Sequence, residues 1–277
     1  MNVEQLKNLL RSNGLKPNFT YGQNFLIDEI ALQDIVDSAG ITNKTAVLEI
    51  GPGIGNMTKL LCERAGFVLA IEKDPKFVQI LHNIKKDFRK NFRFEIADAL
   101  EFNFQDFFKD EGFDSYIVVA NIPYYITGKI LQMLMTAKFK PDSITVLTQK
   151  EVAQNVCAKA GDLSVLAISV QLFGTPELVQ VVPARSFYPA PKVDSAVLKI
   201  TLDKKQRYDI ADEKRFFKIV KACFSGKRKQ IHNTLANNLG IEKTRAMEIL
   251  SELRIKPASR PQELTIEDWI RLVEKIK

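Results

Sequence analysis

The sequence predicts an α/β protein built on a mostly parallel sheet, followed by a small all-helical domain. Three observations lead there. Short β-rich apolar runs recur through the first two-thirds of the chain, helical patterns separate them, and from Asp203 the strand signal stops. With 277 residues, 45% of them hydrophobic, the chain can hold one large domain and one small one. We place the first at residues 1–202 and the second at 203–277.

The runs AVLEI (46–50), FVLAIE (67–72), FRFEIA (92–97), SYIVVA (115–120) and SITVLT (143–148) are nearly continuous apolar stretches. Strands take that form when helices cover both faces of a parallel sheet. Helical patterns fall between them at 56–65, 75–88 and 126–138, and right-handed crossovers place those helices on the two faces. VQVVPA (179–184) and SAVLKITL (195–202) flank the proline-punctuated SFYPAPKVD and are expected to pair antiparallel at a sheet edge. DEKRFFKIVKACF, KRKQIHNTLANNL, EKTRAMEILSELR and TIEDWIRLVEKI supply the helices of the second domain.

Composition narrows the function classes. The opening MNVEQLKNLLRSNG lacks the apolar core of a signal peptide, and no run of about 18 apolar residues occurs. A soluble, cytoplasmic chain with no membrane partner is expected. Cys62, Cys157, Cys223, His82 and His232 have no metal-ligand spacing, so we expect buried thiols in a reducing compartment and no metal site. The charge is segregated: from Lys204 to His232 ten basic residues face three acidic ones, an excess equal to the chain's whole +7. Such a field suits a polyanion, because each neutralised phosphate releases condensed counterions. A solvated helix face is the alternative; a membrane surface fits poorly without a broad apolar face and tryptophan anchors.

The first candidate site begins at Val47-Leu48-Glu49-Ile50-Gly51-Pro52-Gly53-Ile54-Gly55, where a buried strand runs into a glycine-rich turn and a helix. Glycines let a backbone turn sharply and approach a ligand closely. The spacing is GxGxG, one position away from the dinucleotide fingerprint. Glu72 ends the next strand, where its carboxylate can accept hydrogen bonds from both hydroxyls of a ribose. Asp98, in Ala97-Asp98-Ala99, ends the third and can accept from an adenine amine. Three consecutive strand ends of this kind point to a nucleoside bound across the carboxyl edge of the sheet. No phosphate-binding Lys or Arg accompanies the glycines, so a sulfonium cofactor fits better than NAD.

After the fourth strand comes Asn121-Ile122-Pro123-Tyr124. An aromatic amine is a weak nucleophile because its lone pair is delocalised into the ring. The Asn121 side-chain oxygen and the Ile122 carbonyl can each accept one amine hydrogen, Pro123 stiffens the turn that aims them, and Tyr124 can stack on the base. The base must then be unpaired or flipped out. Phe187 is a candidate for the opposite aromatic wall, with a place in the core as its alternative.

The segments YGQNFL (21–26), LEIGPGIG (48–55), AIEKDP (70–75), ADAL (97–100), NIPYYIT (121–127), TQKEVA (148–153), FYPAPKVDSAV (187–197), FSGKRKQIHNTL (224–235) and RPQEL (260–264) closely resemble the KsgA-type small-subunit ribosomal RNA adenine dimethyltransferases. The resemblance spans nearly the whole chain. It implies a Rossmann-like class I methyltransferase domain with a seven-stranded sheet, one strand antiparallel, and a helical RNA-binding domain. It implies S-adenosylmethionine as cofactor, and two adjacent adenosines in a hairpin loop near the 3′ end of 16S RNA as substrate, each receiving two methyl groups. By motif position it puts Gln23, Asn24 and Leu26 at the methionine end of the cofactor and Gly51 and Gly53 along its backbone. Glu72 falls at the ribose and Asp98 at the adenine, Lys73 and Ala99 count among the other cofactor contacts, and Asn121, a cofactor contact as well, falls at the reacting centre beside Ile122, Pro123 and Tyr124. Substrate contacts are expected from Tyr124, Phe187 and the basic run Lys227, Arg228 and Lys229. The implied partner is 16S RNA in an immature small subunit, with the protein acting as a monomer late in assembly. Two alternatives stand beside this reading: an Erm-like 23S adenine methyltransferase, since NIPY also occurs there, and a non-catalytic ribosome-assembly factor.

Overall fold

The computed structural model describes residues 1–18, 21–205, 207–226 and 228–276. Helix α1 (Val3–Ser12) opens with a capping box between Asn2 and Gln5. A two-residue strand β1 (Phe25–Leu26) leads to α2 (Glu29–Ser38), whose free N–H groups are met by the Asp28 carboxylate. Strand and helix then alternate: β2 (Ala46–Ile50), α3 (Asn56–Arg64), β3 (Phe67–Glu72), α4 (Val78–Asp87) and β4 (Phe92–Ile96). The series continues through α5 (Phe104–Asp110), β5 (Ile117–Asn121), α6 (Thr127–Met135) and β6 (Ser143–Gln149). Helices α7 (Lys150–Val156) and α8 (Val165–Gln171) precede β7 (Gly174–Val182), β8 (Phe187–Tyr188) and β9 (Ser195–Leu202). The chain closes with α9 (Glu213–Phe224), α10 (Ile231–Leu239), α11 (Lys243–Glu252) and α12 (Ile266–Lys275).

The strands form one seven-stranded sheet in the order β4-β3-β2-β5-β6-β9-β7, and β1 with β8 forms a separate antiparallel pair. From β4 to β6 every pairing is parallel, whereas β9 runs antiparallel to both its neighbours. The single reversed strand and the pairing of β7 with β9 are as the sequence predicts. All residues of β2 and β3 are buried, which is why both read as unbroken apolar runs. The chain steps outward from β2 to β3 to β4 and then returns to β5 on the other side of β2. This reversal of strand order leaves a crevice beyond the carboxyl ends of β2 and β5, the place where open α/β sheets bind ligands.

Sequence and structure differ at some boundaries. The 75–88 helix is divided into a 3₁₀ turn at Pro75–Phe77, started by the Asp74 carboxylate, and α4. The 115–120 strand is shifted to 117–121, which makes Asn121 the last residue of β5.

The chain divides into two compact units, Met1–Ala153 with Gly174–Lys204, and Gln154–Phe173 with Lys205–Lys277. In the second unit, Gly161 and Leu163 N–H groups donate to the Gln262 carbonyl at 3.0 and 3.2 Å, and the rings of Phe173 and Phe217 lie 6.5 Å apart. These contacts tie the α8 segment to the terminal helices. Trp269 is fully buried at the centre of this unit, with the Phe224 ring 5.7 Å away.

Candidate active site

The floor of the crevice is the turn from β2 into α3. Gly51 has φ +74° and Gly55, the first residue before the helix, has φ +78°, both in the left-handed region that L side chains rarely adopt. A Cβ on Gly51 would lie 3.5 Å from the Asn121 carbonyl oxygen, so this turn and the end of β5 face each other across little more than a side-chain width. A Cβ on Gly55 would fall 2.1 Å from the Ile84 Cδ1.

Glu72 ties the turn to β3. Its Oε2 accepts from the Gly53 N–H at 2.9 Å and its Oε1 from the Asp74 N–H at 2.8 Å. Burial raises its pKa above the usual carboxylate range, and those backbone donors offset part of the rise. At the end of β4, Asp98 accepts from Lys73 Nζ at 2.7 Å and from the Leu100 N–H at 2.9 Å. The Lys73 bond is the leading cause that holds its carboxyl below its ordinary value. Gln23 bridges the entry segment to this edge, donating from Nε2 to Asp74 Oδ2 at 3.1 Å while its Oε1 accepts from the Asn18 N–H.

Asn121 donates from Nδ2 to the Asn24 carbonyl at 3.4 Å, which fixes the amide so that its oxygen points the other way. Tyr124 and Ser195 share a hydrogen bond of 2.7 Å between hydroxyls, and burial raises the phenol's pKa. The structure thus brings Gln23, Asn24, Leu26, Gly51, Gly53, Glu72, Lys73, Asp98, Ala99, Asn121, Ile122, Pro123 and Tyr124 around one cleft of about 1120 Å³, part of it open to solvent.

Not every expected residue meets there. Phe187 is 3% exposed, pairs with Leu26 between β8 and β1, and belongs to the core behind the cleft rather than to its lining. The core alternative is the one the structure bears out, because the β1–β8 pairing turns this ring inward. Arg228 and Lys229 are exposed and lie in the second unit, and Lys227 falls outside the described residues. Among the described residues no three His, Cys, Asp or Glu side chains gather as a metal set, and no helix is long and apolar enough to cross a membrane.

One lining residue gives no functional signal in the sequence. Glu49, the fourth residue of β2, is fully buried, and neither carboxyl oxygen has a hydrogen-bond partner within 3.5 Å. The Thr58 hydroxyl beside it is also buried and is the polar group nearest to partnering it. Burial pushes the Glu49 carboxyl up to about 8, with the Thr58 hydroxyl offsetting part of the rise and the Glu72 charge adding to it. A buried acid without a partner is costly in isolation, and a cation placed in the cleft relieves that cost.

This sheet order, with its one reversed strand and a cleft at the switch point, defines a Rossmann-like class I methyltransferase. Within that class the chain belongs to the ribosomal RNA adenine dimethylase family, whose model matches residues 14–277. It is 39% identical over 270 residues to a ribosomal RNA small subunit methyltransferase A of Dehalococcoides mccartyi, covering 98% of this chain and 92% of that one. The protein of the same name from Clostridium botulinum is 37% identical over 275 residues, 98% of each chain. Among solved structures, a dimethyladenosine transferase from Plasmodium falciparum superposes with a TM-score of 0.75 at 26% identity, covering 90% of this chain and 95% of the other. The 23S rRNA methyltransferase ErmE gives 0.70 at 27%, covering 91% and 99%.

Proposed function

We propose that this protein uses S-adenosylmethionine to dimethylate the N6 amines of two adjacent adenosines in the 3′-terminal hairpin of 16S ribosomal RNA. The observation that carries the reading is the convergence of Glu72, Asp98 and Asn121, from the ends of β3, β4 and β5, around a glycine-floored cleft. The cleft suits a cationic nucleoside: the Glu72 and Asp98 carboxylates line it and could accept from a ribose and an adenine amine, and the buried Glu49 carboxyl, on giving up its proton, would favour a positive charge placed there. We assign the ribose to Glu72, the adenine to Asp98 with Ala99 beside it, and the methionine end to Gln23, Asn24 and Leu26. Gly51 and Gly53 form the wall along which the cofactor lies, and Lys73 steadies Asp98.

The cofactor supplies an electrophilic methyl group on a positively charged sulfur. The protein must make a poor nucleophile attack it. In the first transfer the Asn121 side-chain oxygen and the Ile122 carbonyl each accept one hydrogen of the adenine amine, drawing its lone pair out of conjugation and aiming it along the line of transfer; one amine proton is lost to water with each methyl gained, so in the second transfer one acceptor holds the single remaining hydrogen. Tyr124, with its hydroxyl held by Ser195, presents a fixed ring for the flipped base to stack on. Residues 203–277 serve in this reading as the RNA-binding part, with the basic window on the phosphates. The protein works in the cytoplasm as a monomer on an immature small subunit.

The test is methyl transfer from labelled S-adenosylmethionine to unmodified small and large ribosomal subunits in parallel, followed by nucleoside analysis. Dimethyladenosine in the small subunit is the expected result. Dimethyladenosine only in the large subunit would move the protein to the ErmE-like activity, and cofactor binding with no transfer to either would leave an RNA-binding assembly factor.

A further inference from the structure

Tyr125 has no part in the roles assigned above, yet among the described Phe, Tyr and Trp residues it alone is exposed, at 62%. It also lines the mouth of the cleft. Tyr124 and Tyr125 open a 3₁₀ turn (Tyr124–Ile126), in which successive side chains project about 120° apart. Tyr124 therefore turns inward to Ser195 while Tyr125 turns out. The outward ring is seated: Gly22, at φ +61°, presents bare backbone to it, and a Cβ there would lie 3.6 and 3.7 Å from two Tyr125 ring carbons and 3.3 Å from the Pro123 Cβ. Lys73 lines the same cleft, with its ammonium paired to Asp98 at 2.7 Å.

A base pulled from its stack leaves the face of its neighbour bare. A second aromatic face just outside the cleft can take the place of the missing stacking partner. We propose that Tyr125 is a stacking platform for the nucleotide next to the target adenine, holding it at the mouth while the target base lies against Tyr124. This inference rests on the adenine-methylating reading and adds a second base contact to it. It treats Tyr125 as a substrate-binding residue and not as a wall of the cofactor site.

Steady-state methyl transfer to unmodified small subunits by wild type, Tyr125→Ala and Tyr125→Phe tests it, with cofactor Kd measured alongside by calorimetry. Stacking on one base predicts that Tyr125→Ala raises KM for the subunit by about 5- to 150-fold. Cofactor Kd should stay the same, and Tyr125→Phe, which keeps the ring, should match wild type. A hairpin RNA carrying 2-aminopurine beside the target should lose fluorescence on binding wild type or Tyr125→Phe, and keep it on binding Tyr125→Ala. Four results overturn the platform: an unchanged KM in Tyr125→Ala, a cofactor Kd that rises with KM, a Tyr125→Phe variant as impaired as alanine, or equal quenching by all three proteins. A wild type that methylates neither subunit overturns the proposed function and the platform together. An active wild type with an unaffected Tyr125→Ala overturns the platform alone.

Discussion

Asn121 and Glu49 are two polar residues of the same cleft that differ in how they can be read. Asn121 announces itself in sequence, because an amide followed by proline at a strand end is a device for aiming an oxygen, and the structure adds the bond to Asn24 that orients it. Asn121→Ala should lower kcat by about 10²-fold or more while cofactor Kd changes little, the pattern of an interaction that matters in the transition state and not in cofactor binding. Retained turnover would remove Asn121 from the reacting centre. Glu49 cannot be read this way: AVLEI reads as a covered apolar run, and only the structure shows that its one acid is fully buried with the rest. Its carboxyl moves from 4.5 to about 8 on folding. Between those values the folded chain holds a proton that the unfolded chain releases, so this group's stabilising contribution is full below the lower value and is lost as pH rises through the upper one. Charges facing it point the same way, since Glu72 repels a Glu49 carboxylate and the buried Cys62 thiol supplies no cation. Thermal unfolding from about pH 5 to about pH 8 should show the wild-type Tm falling relative to Glu49→Gln, which carries no titrating group there. Parallel pH profiles for the two proteins would show that Glu49 ionises normally.

Elements set where these residues meet, and here the glycine turn decides most. Gly51 combines a left-handed φ with a place on the wall of the cleft, so Gly51→Ala carries backbone strain at a surface that a ligand would meet. Strain of about 1–2 kcal/mol is expected, worth roughly 2–8 °C in Tm for a domain of this size. Cofactor affinity should fall further than that strain alone explains, because Gly51 lines the cleft and any shift of its backbone moves the wall that a ligand would meet. A variant that loses Tm but binds cofactor normally would leave the turn as a structural feature without a ligand. The elements that sequence reveals best, β2, β3 and β6, are buried on both faces and follow a simple apolar pattern. Those it misses lack such a signal. Helix α5 has seven residues, too few to establish a period, and the β1–β8 pair joins two-residue strands far apart in the chain. That pair is also why Phe187 is ambiguous in sequence: alone it is an aromatic beside prolines, and only its register with Leu26 sends it into the core.

At the scale of the whole molecule, contacts decide unit membership and charge decides partners. The α8 segment lies between strands in sequence yet packs with the terminal helices, since the Gly161, Leu163 and Gln262 backbone bonds and the Phe173–Phe217 contact join stretches well separated in the chain, beyond the reach of a local pattern. Charge is legible at once, because it needs no fold to be counted: the 204–232 window carries ten basic residues against three acidic ones. The structure leaves Arg228 and Lys229 of that window in solvent, in the second unit. Their reversal should therefore spare folding and act on the partner. Replacing Lys227, Arg228 and Lys229 by glutamate should leave Tm and cofactor affinity unchanged, because neither exposed cation is buried or lines the cleft. It should weaken RNA binding and flatten the plot of log affinity against log salt by about 0.7 to 0.9 for each phosphate that the protein no longer neutralises. Binding titrations at four or five salt concentrations measure that slope directly. A slope that flattens marks the run as part of the phosphate-binding surface. A slope identical to wild type, with affinity also unchanged, would assign these three cations to solvent and require that the chain grips its RNA elsewhere.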